Sequence, residues 1–550
     1  MNTRTTTLPR ALLLFCLILT LCGFGTGEEP TPPPKPQTIV WSLPGPDPSY
    51  LFDIDYKRFE IPSLYRVLSP EIVGMADLLN EGEFQRLEMG SLWGVTVGQA
   101  NGSFKWGAPV SLSGALDSVT PYIPQGVSFR CKTTSDDIRT IRNRLPKCRY
   151  IGTSVDWNNA EDLALEVSKC ESLEFLELGQ GNLGEAGVKS LSRLKALKAL
   201  ILTSSSIETF SRDTLYDSVS QMSDLRYLRL RSVDLDPSFA EVVGKLKSLE
   251  SLCVASKNVS SIVTPLLATS SLKRVIFESQ TAEKAVAQLP SELKGISDLG
   301  LYNFDISSDA LSVLSRSEGL TSLGLWNCTL PDEDIGFPKS LRTLVIDQSD
   351  LPKRCVRAIG QLPNLENLWI SLSPDNSAEF LSLQMPTTLK RLFVAASPDE
   401  LPALEAKLGA ATGLREAALM IYLGGQFNGK FADLAANPSL VSLQLICSVN
   451  LGDLLCLKNL ESLVVGGKCI VAKPDPVPLA DMKSLRTLVL KLPAVPDGFW
   501  DAIAKMPALE KVEIHAPLPQ AELDAKRAGL HAANPKLKFI GLYSSLMLPQ

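Results

Sequence analysis

The feature that most limits what this chain can fold into is a short pattern that recurs from Cys148 to the end: an aliphatic residue, two variable ones, an aliphatic, one variable, an aliphatic. It reads LEFLEL from Leu173, LKALIL from Leu197, LRYLRL from Leu225, LESLCV from Leu249, LKRVIF from Leu272 and ISDLGL from Ile296. It continues as LTSLGL from Leu320, LRTLVI from Leu341, LENLWI from Leu365, LKRLFV from Leu389 and LREAAL from Leu414. The last units are LVSLQL from Leu440, LESLVV from Leu460, LRTLVL from Leu485, LEKVEI from Leu509 and LKFIGL from Leu537. With a degenerate CRYIGT at Cys148 these make seventeen units, and (537 − 148)/16 gives a mean period of about 24 residues.

The closing L-x-L of each unit alternates with period two, as in a short strand with one buried face. Ser238-Phe-Ala-Glu-Val-Val-Gly-Lys-Leu246 instead spaces its apolar residues like a helix. Each unit therefore reads as strand, turn, helix. One such unit cannot bury its apolar stripe alone, so neighbours must stack, and each inward Leu, Ile or Val contributes about 1.5 to 3 kcal/mol by leaving water. The strands are expected to form one parallel sheet, and sixteen intervals of about 4.8 Å give an inner wall on the order of 80 Å long.

Leu320-Thr-Ser-Leu-Gly-Leu-Trp-Asn-Cys328-Thr-Leu330 meets LxxLxLxx(N/C)xL in full, and on it the chain resembles the leucine-rich-repeat family. Elsewhere the ninth position departs: Asn182 and Asn258 sit one place late, and many units carry Ser, Val or Phe there. The resemblance covers about 400 of the 550 residues. It implies an α/β right-handed solenoid, with a curved parallel sheet on the concave face, helices on the convex face, and a concave face that binds another macromolecule.

Upstream of the repeats the chain changes character. Residues 1–27 read as a secretory signal, since Arg4 and Arg10 precede the apolar run Ala11–Leu21 and Gly25 and Gly27 suit a cleavage site. The run is too short for a membrane span, and no later segment offers a span in the mature chain. Cys22 raises lipid anchoring, but bulky Leu21 stands where a small residue is wanted, which disfavours it. Residues 28–37 (EEPTPPPKPQ) are expected to be an extended tether. Residues 38–147, with Trp41, Trp93 and Trp106, read as an N-terminal cap region that admits degenerate repeats, and 148–550 as the solenoid. The expected localisation is exported: periplasmic, cell-surface or secreted.

Composition narrows the function. Without Arg4 and Arg10 the 54 basic residues fall to 52 against 60 acidic, a net charge of about −8, which makes nucleic acid and anionic membrane poor partners. His515 and His531 are the only histidines, both in the last two units, so the sequence argues against histidine triads and multi-histidine metal sites, and His515 reads as a solvent-facing strand residue. Neither cofactor nor metal is expected. Nine of the eleven cysteines lie beyond the signal at irregular spacing; they read as buried thiols, with one bridge among Cys447, Cys456 and Cys469 as the alternative.

Several motifs have a plainer explanation than chemistry. Gly179-Gln-Gly181-Asn-Leu-Gly184, with Glu208 beyond it, matches a dinucleotide fingerprint but falls in register with the repeat turn. Asp332-Glu-Asp334 lacks the alternating ligands of a calcium loop. Asn101, Asn258 and Asn327 head glycosylation triplets, which matter only in a source with that machinery.

The variable positions carry more. Tyr302 and Trp326 follow the third aliphatic of successive units, and Trp369 and Phe393 precede it in two later ones, so four aromatics fall on one stretch of the concave face beside Asp347 and Asn367. They are the expected binding anchor, and replacing all four by alanine is expected to spare the fold and weaken binding. Packing of the rings on one another is the alternative. Arg226, Arg229 and Arg231, with Tyr227 among them and Lys273 and Arg274 nearby, form a second candidate patch, which Glu250 and Glu278 tend to neutralise. The resulting expectation is a non-enzymatic recognition module for a protein or other macromolecule. A self-associating envelope component is the second reading, and an enzyme with its site in residues 38–147 the third.

Overall fold

The computed structural model describes residues 86–90, 94–98, 104–106, 126–130 and, from 133 to 544, all but 154–159, 182, 205–209, 270, 334–335, 422–425, 428–430 and 471–478. The signal, the tether, Trp41, Trp93, Asn101, Asn182 and Glu208 lie outside these residues.

Every unit quoted above supplies one strand, beginning at its third residue, and the strands join one parallel sheet from Tyr150–Thr153 to Phe539–Ser544. Equivalent positions pair: Leu299, Leu323, Leu344, Leu368 and Leu392 stand side by side across five strands. Period-two alternation sends these leucines and the next aliphatics to one face, where helices such as Ser308–Ser315 and Lys353–Gly360 cover them. Leu311, Leu314, Val356 and Ile359 from those helices join the same continuous core. The result is a curved sheet on the concave side with helices on the convex side.

Not every unit has a helix. Between Arg274–Ser279 and Asp298–Tyr302 the chain forms the short strand Ala285–Ala287, which pairs with Phe304–Ile306 in a second, two-stranded sheet. The unit from Leu320 is only 341 − 320 = 21 residues long and carries Pro331 and Pro338. Among its described residues there is no helix, because two prolines in a shortened return path leave no room for helical hydrogen bonds.

Strand–helix alternation begins before Cys148. Gly126–Arg130 pairs in parallel with Tyr150–Thr153, and the helix Ser135–Arg144, closed at its start by a Thr134–Asp137 capping box, adds Ile138 and Ile141 to the core. Arg86–Gly90 extends the sheet in parallel, then Gly94–Gly98 and Phe104–Trp106 continue it antiparallel. This meander covers the edge that a parallel array would otherwise leave open.

At the ninth position, side chains tie the turns together. The Cys328 thiol donates to the Leu301 and Trp326 carbonyls at 3.3 and 3.4 Å. Ser349, one unit on, accepts from the Cys328 N–H at 3.0 Å and donates to the Leu325 carbonyl at 3.1 Å. Serine thus does here what asparagine does in the consensus, which explains why the pattern tolerates its loss.

A charged rail runs along the N-terminal rim of the strands, at the residue after the first aliphatic. Glu174 bridges Arg149 and Lys198 at 2.7 and 2.9 Å, and Glu366 bridges Arg342 and Lys390 at 3.3 and 3.0 Å. Arg486 lies between Glu461 and Glu510, and Glu510 also meets Lys538 at 2.6 Å. Each pair links neighbouring units, and half-exposed pairs of this kind contribute up to about 1 kcal/mol. Glu366→Lys would place four cations in a row, from Arg342 to Arg415; it is expected to lower stability to urea by on the order of 1 kcal/mol, with the deficit shrinking in high salt.

Candidate binding face of the sheet

The strand side chains that do not enter the core project onto the concave face. There the aromatics of four strands form a second apolar cluster separate from the core, made of Trp326, Val345, Trp369, Phe393, Ala395 and Ala418. Tyr302, Met420 and Ile446 pack against it and remain partly exposed.

Two stacks organise it. Tyr302 lies on Trp326 with ring centroids 4.4 Å apart and planes within 8°. Trp369 lies on Phe393 at 3.4 Å and 14°. The first stack needs a glycine floor, because a β-carbon on Gly324 would fall inside the Trp326 indole, and Gly300 in the adjoining strand also underlies that ring. The indole therefore lies flat along its own strand, with Tyr302 above it.

Sequence placed these four rings together correctly, but their accessibility differs from expectation. Trp326, Trp369 and Phe393 are only 4%, 7% and 2% exposed, so each ring's main contact is another ring and Tyr302 is the accessible member. The expectation that four alanines spare the fold is corrected accordingly, since they would empty a packed cluster. Asn367 is also buried and donates to the Thr343 hydroxyl at 3.0 Å.

Asp347 stands beside Trp326 in the strand register. Its carboxylate accepts from the Ser371 hydroxyl. Burial pushes its pKa above the ordinary 3.8, against hydrogen bonds from Ser371, the Gln348 backbone and Trp369. Neighbouring carboxylates on this face are ion-paired within the chain: Glu278 to Arg231 at 3.1 Å, Asp298 to Arg274 at 3.8 Å, Glu416 to Arg391 at 3.0 Å. The basic patch is thus partly neutralised. Arg231 reaches Glu278 and Lys273 meets Glu250 at 2.9 Å; Arg229 is partly buried on the concave face, and Arg226 is exposed on the rim.

The remaining motifs resolve into structure. Gly184, at φ +60°, opens the helix Gly184–Leu191, and the Glu161 carboxylate occupies the space its β-carbon would take. A carboxylate thus sits at the turn where the fingerprint would need a phosphate. Glu333 accepts from the Ser308 hydroxyl and Asp332 meets Arg354 at 3.9 Å, while Asp334 lies outside the described residues. The Cys456 thiol donates to the Phe431 carbonyl at 3.4 Å, and burial pushes the Cys148, Cys328 and Cys447 thiols up to about 12. His515 faces the concave side but is largely covered, with Nε2 3.3 Å from Glu513 Oε1.

Trp369→Ala is expected to cost about 3 to 5 kcal/mol in urea unfolding, as for a packed aromatic. Asp347→Asn should have the opposite sign. A carboxyl whose folded pKa is raised favours the protonated native state, so its ionised form lowers stability as pH rises above 3.8. The asparagine variant is expected to melt at or above the wild-type temperature at neutral pH, with the difference fading in acid.

No family model matches the chain, and no curated protein matches it. Among solved structures, the chain is similar to that of a TLR13–ssRNA13 complex at 17% identity and a TM-score of 0.45, over 70% of this chain. It spans only about half of that chain's length, 54%. It is similar to a leucine-rich-repeat protein of Leptospira interrogans at 18% identity and a TM-score of 0.30, over 78% of this chain and 97% of the other. For mouse RP105 in its MD-1 complex the values are 15% and 0.40, over 77% and 76%. These likenesses are distant, whereas the chain's own repeat is direct: the same aliphatic positions recur, pair strand to strand and enter one core, so the fold is a leucine-rich-repeat solenoid.

Proposed function

We propose that this chain is an exported recognition module that binds a protein or other macromolecule on the concave face, around the strands from Asp298–Tyr302 to Ser442–Ile446. The observation behind this reading is the second apolar cluster. The core is complete without it, yet Trp326, Trp369 and Phe393 carry a platform on the opposite face that ends in the partly exposed Tyr302, Met420 and Ile446. A preformed aromatic platform rimmed by polar groups loses little entropy on docking. Arg226, Arg229 and Arg231 lie farther along the wall and would extend the contact toward an acidic partner.

Export rests on the signal-like residues 1–27, and no helix among the described residues is long and apolar enough to cross a membrane. A non-enzymatic role agrees with thiols whose pKa burial raises rather than lowers, the reverse of an activated nucleophile.

The test spares the buried rings. A variant with Tyr302→Ser, Met420→Ser and Ile446→Ser is compared with wild type, both starting at Glu28, in affinity capture from the source organism's envelope and surroundings. The expected result is a macromolecule held by wild type, at least tenfold depleted on the variant, with both melting within a few degrees. Equal capture by the two, or recovery of the protein alone, would overturn this reading, the latter in favour of self-association.

A further inference from the structure

Asp347 is out of keeping with its surroundings. Glu278, Asp298 and Glu416 on the same face each have a cationic partner in the chain, as do Glu174, Glu366 and Glu510 on the rim. The groups that hold Asp347 are neutral: the Ser371 hydroxyl, the Gln348 backbone and the Trp369 indole. Its strand neighbour on one side is Trp326, overlaid by Tyr302, and Trp369 lies in the strand on the other. A carboxylate among aromatic rings, lacking a cation of its own, is costly to keep charged, and a cation brought by a partner would relieve that cost on docking.

Resting on the concave-face reading above, we propose that Asp347 receives the guanidinium of an arginine side chain from a protein partner, with the accessible ring of Tyr302 stacking against it. The planar guanidinium suits the place better than an ammonium. It sheds water more easily, lies flat on an aromatic face, and offers two parallel N–H donors to one carboxylate. The Ser371 hydroxyl holds the carboxylate in place, and the Tyr302–Trp326 stack on its glycine floor fixes the height of the aromatic wall.

Small probes test this on the intact chain. N-acetyl-arginine amide, N-acetyl-lysine amide and the neutral N-acetyl-glutamine amide are titrated into protein labelled with nitrogen-15 at its tryptophans, and the indole N–H resonances of Trp326 and Trp369 are followed. The arginine amide is expected to shift them saturably, more tightly than the lysine amide, with the glutamine amide inert. Asp347→Asn, which keeps the side-chain shape, is expected to weaken the arginine amide at least tenfold. Tyr302→Leu, which keeps the carboxylate, is expected to reduce the preference for arginine over lysine. Undiminished arginine binding by Asp347→Asn, or glutamine amide binding as tightly, overturns the proposal; equal arginine and lysine binding overturns the guanidinium assignment. Failure here is separable from failure of the recognition reading. A chain that ignores the arginine amide yet loses its captured partner on rim substitution keeps the concave face and loses the cation site.

Discussion

Everything in this protein depends on the parallel hydrogen-bond ladder that holds equivalent positions of consecutive units side by side. Because Leu344 pairs with Leu323 on one side and Leu368 on the other, whatever stands one residue later in each strand also forms a row, on the opposite face. The core is the consequence of one set of rows, and the concave surface of the other. A residue's neighbours on that surface are therefore fixed by its place in the motif, not by its own side chain. This is why the Gly300, Gly324, Val345, Trp369, Phe393 row can be traced from the strand pairings alone.

Such an array was largely legible in the sequence, for a physical reason. Burial of the three aliphatic points is the same event repeated in every unit, so a weak local signal becomes strong by repetition. Among the exceptions are places where local chemistry overrides the repeat: the unit from Leu320, whose prolines forbid a helix, and the unit before Asp298, which forms a strand instead. The meander ahead of Gly126–Arg130 was less legible because its strands are used once, with no second copy to expose their period.

The site was legible in position and not in depth. Motif arithmetic puts Tyr302, Trp326, Trp369 and Phe393 together because the register is regular. It does not show that Trp326 lies flat, since that depends on Gly324 two residues earlier and on Tyr302 coming over it. Nor does it show that Asp347 lacks an ion partner while its neighbours have theirs, since ion pairing is decided by side-chain reach across strands. Glu278 finds Arg231 two strands away. The charged rim went unread because opposite charges after the first aliphatic, such as Glu174 and Lys198, lie about 24 residues apart and become neighbours only once the strands are side by side.

The glycine beneath the indole carries a consequence for how such a surface can diverge. Gly324 and Trp326 claim a single volume, so neither is free to vary alone. A chain that gained a side chain at 324 first would lose the flat ring and the stack above it, whereas one that first gave up the indole would release the glycine to any residue that suits a strand. Change at this point of the face thus has a permitted order, and the aromatic platform, once dismantled, is rebuilt only by returning to glycine.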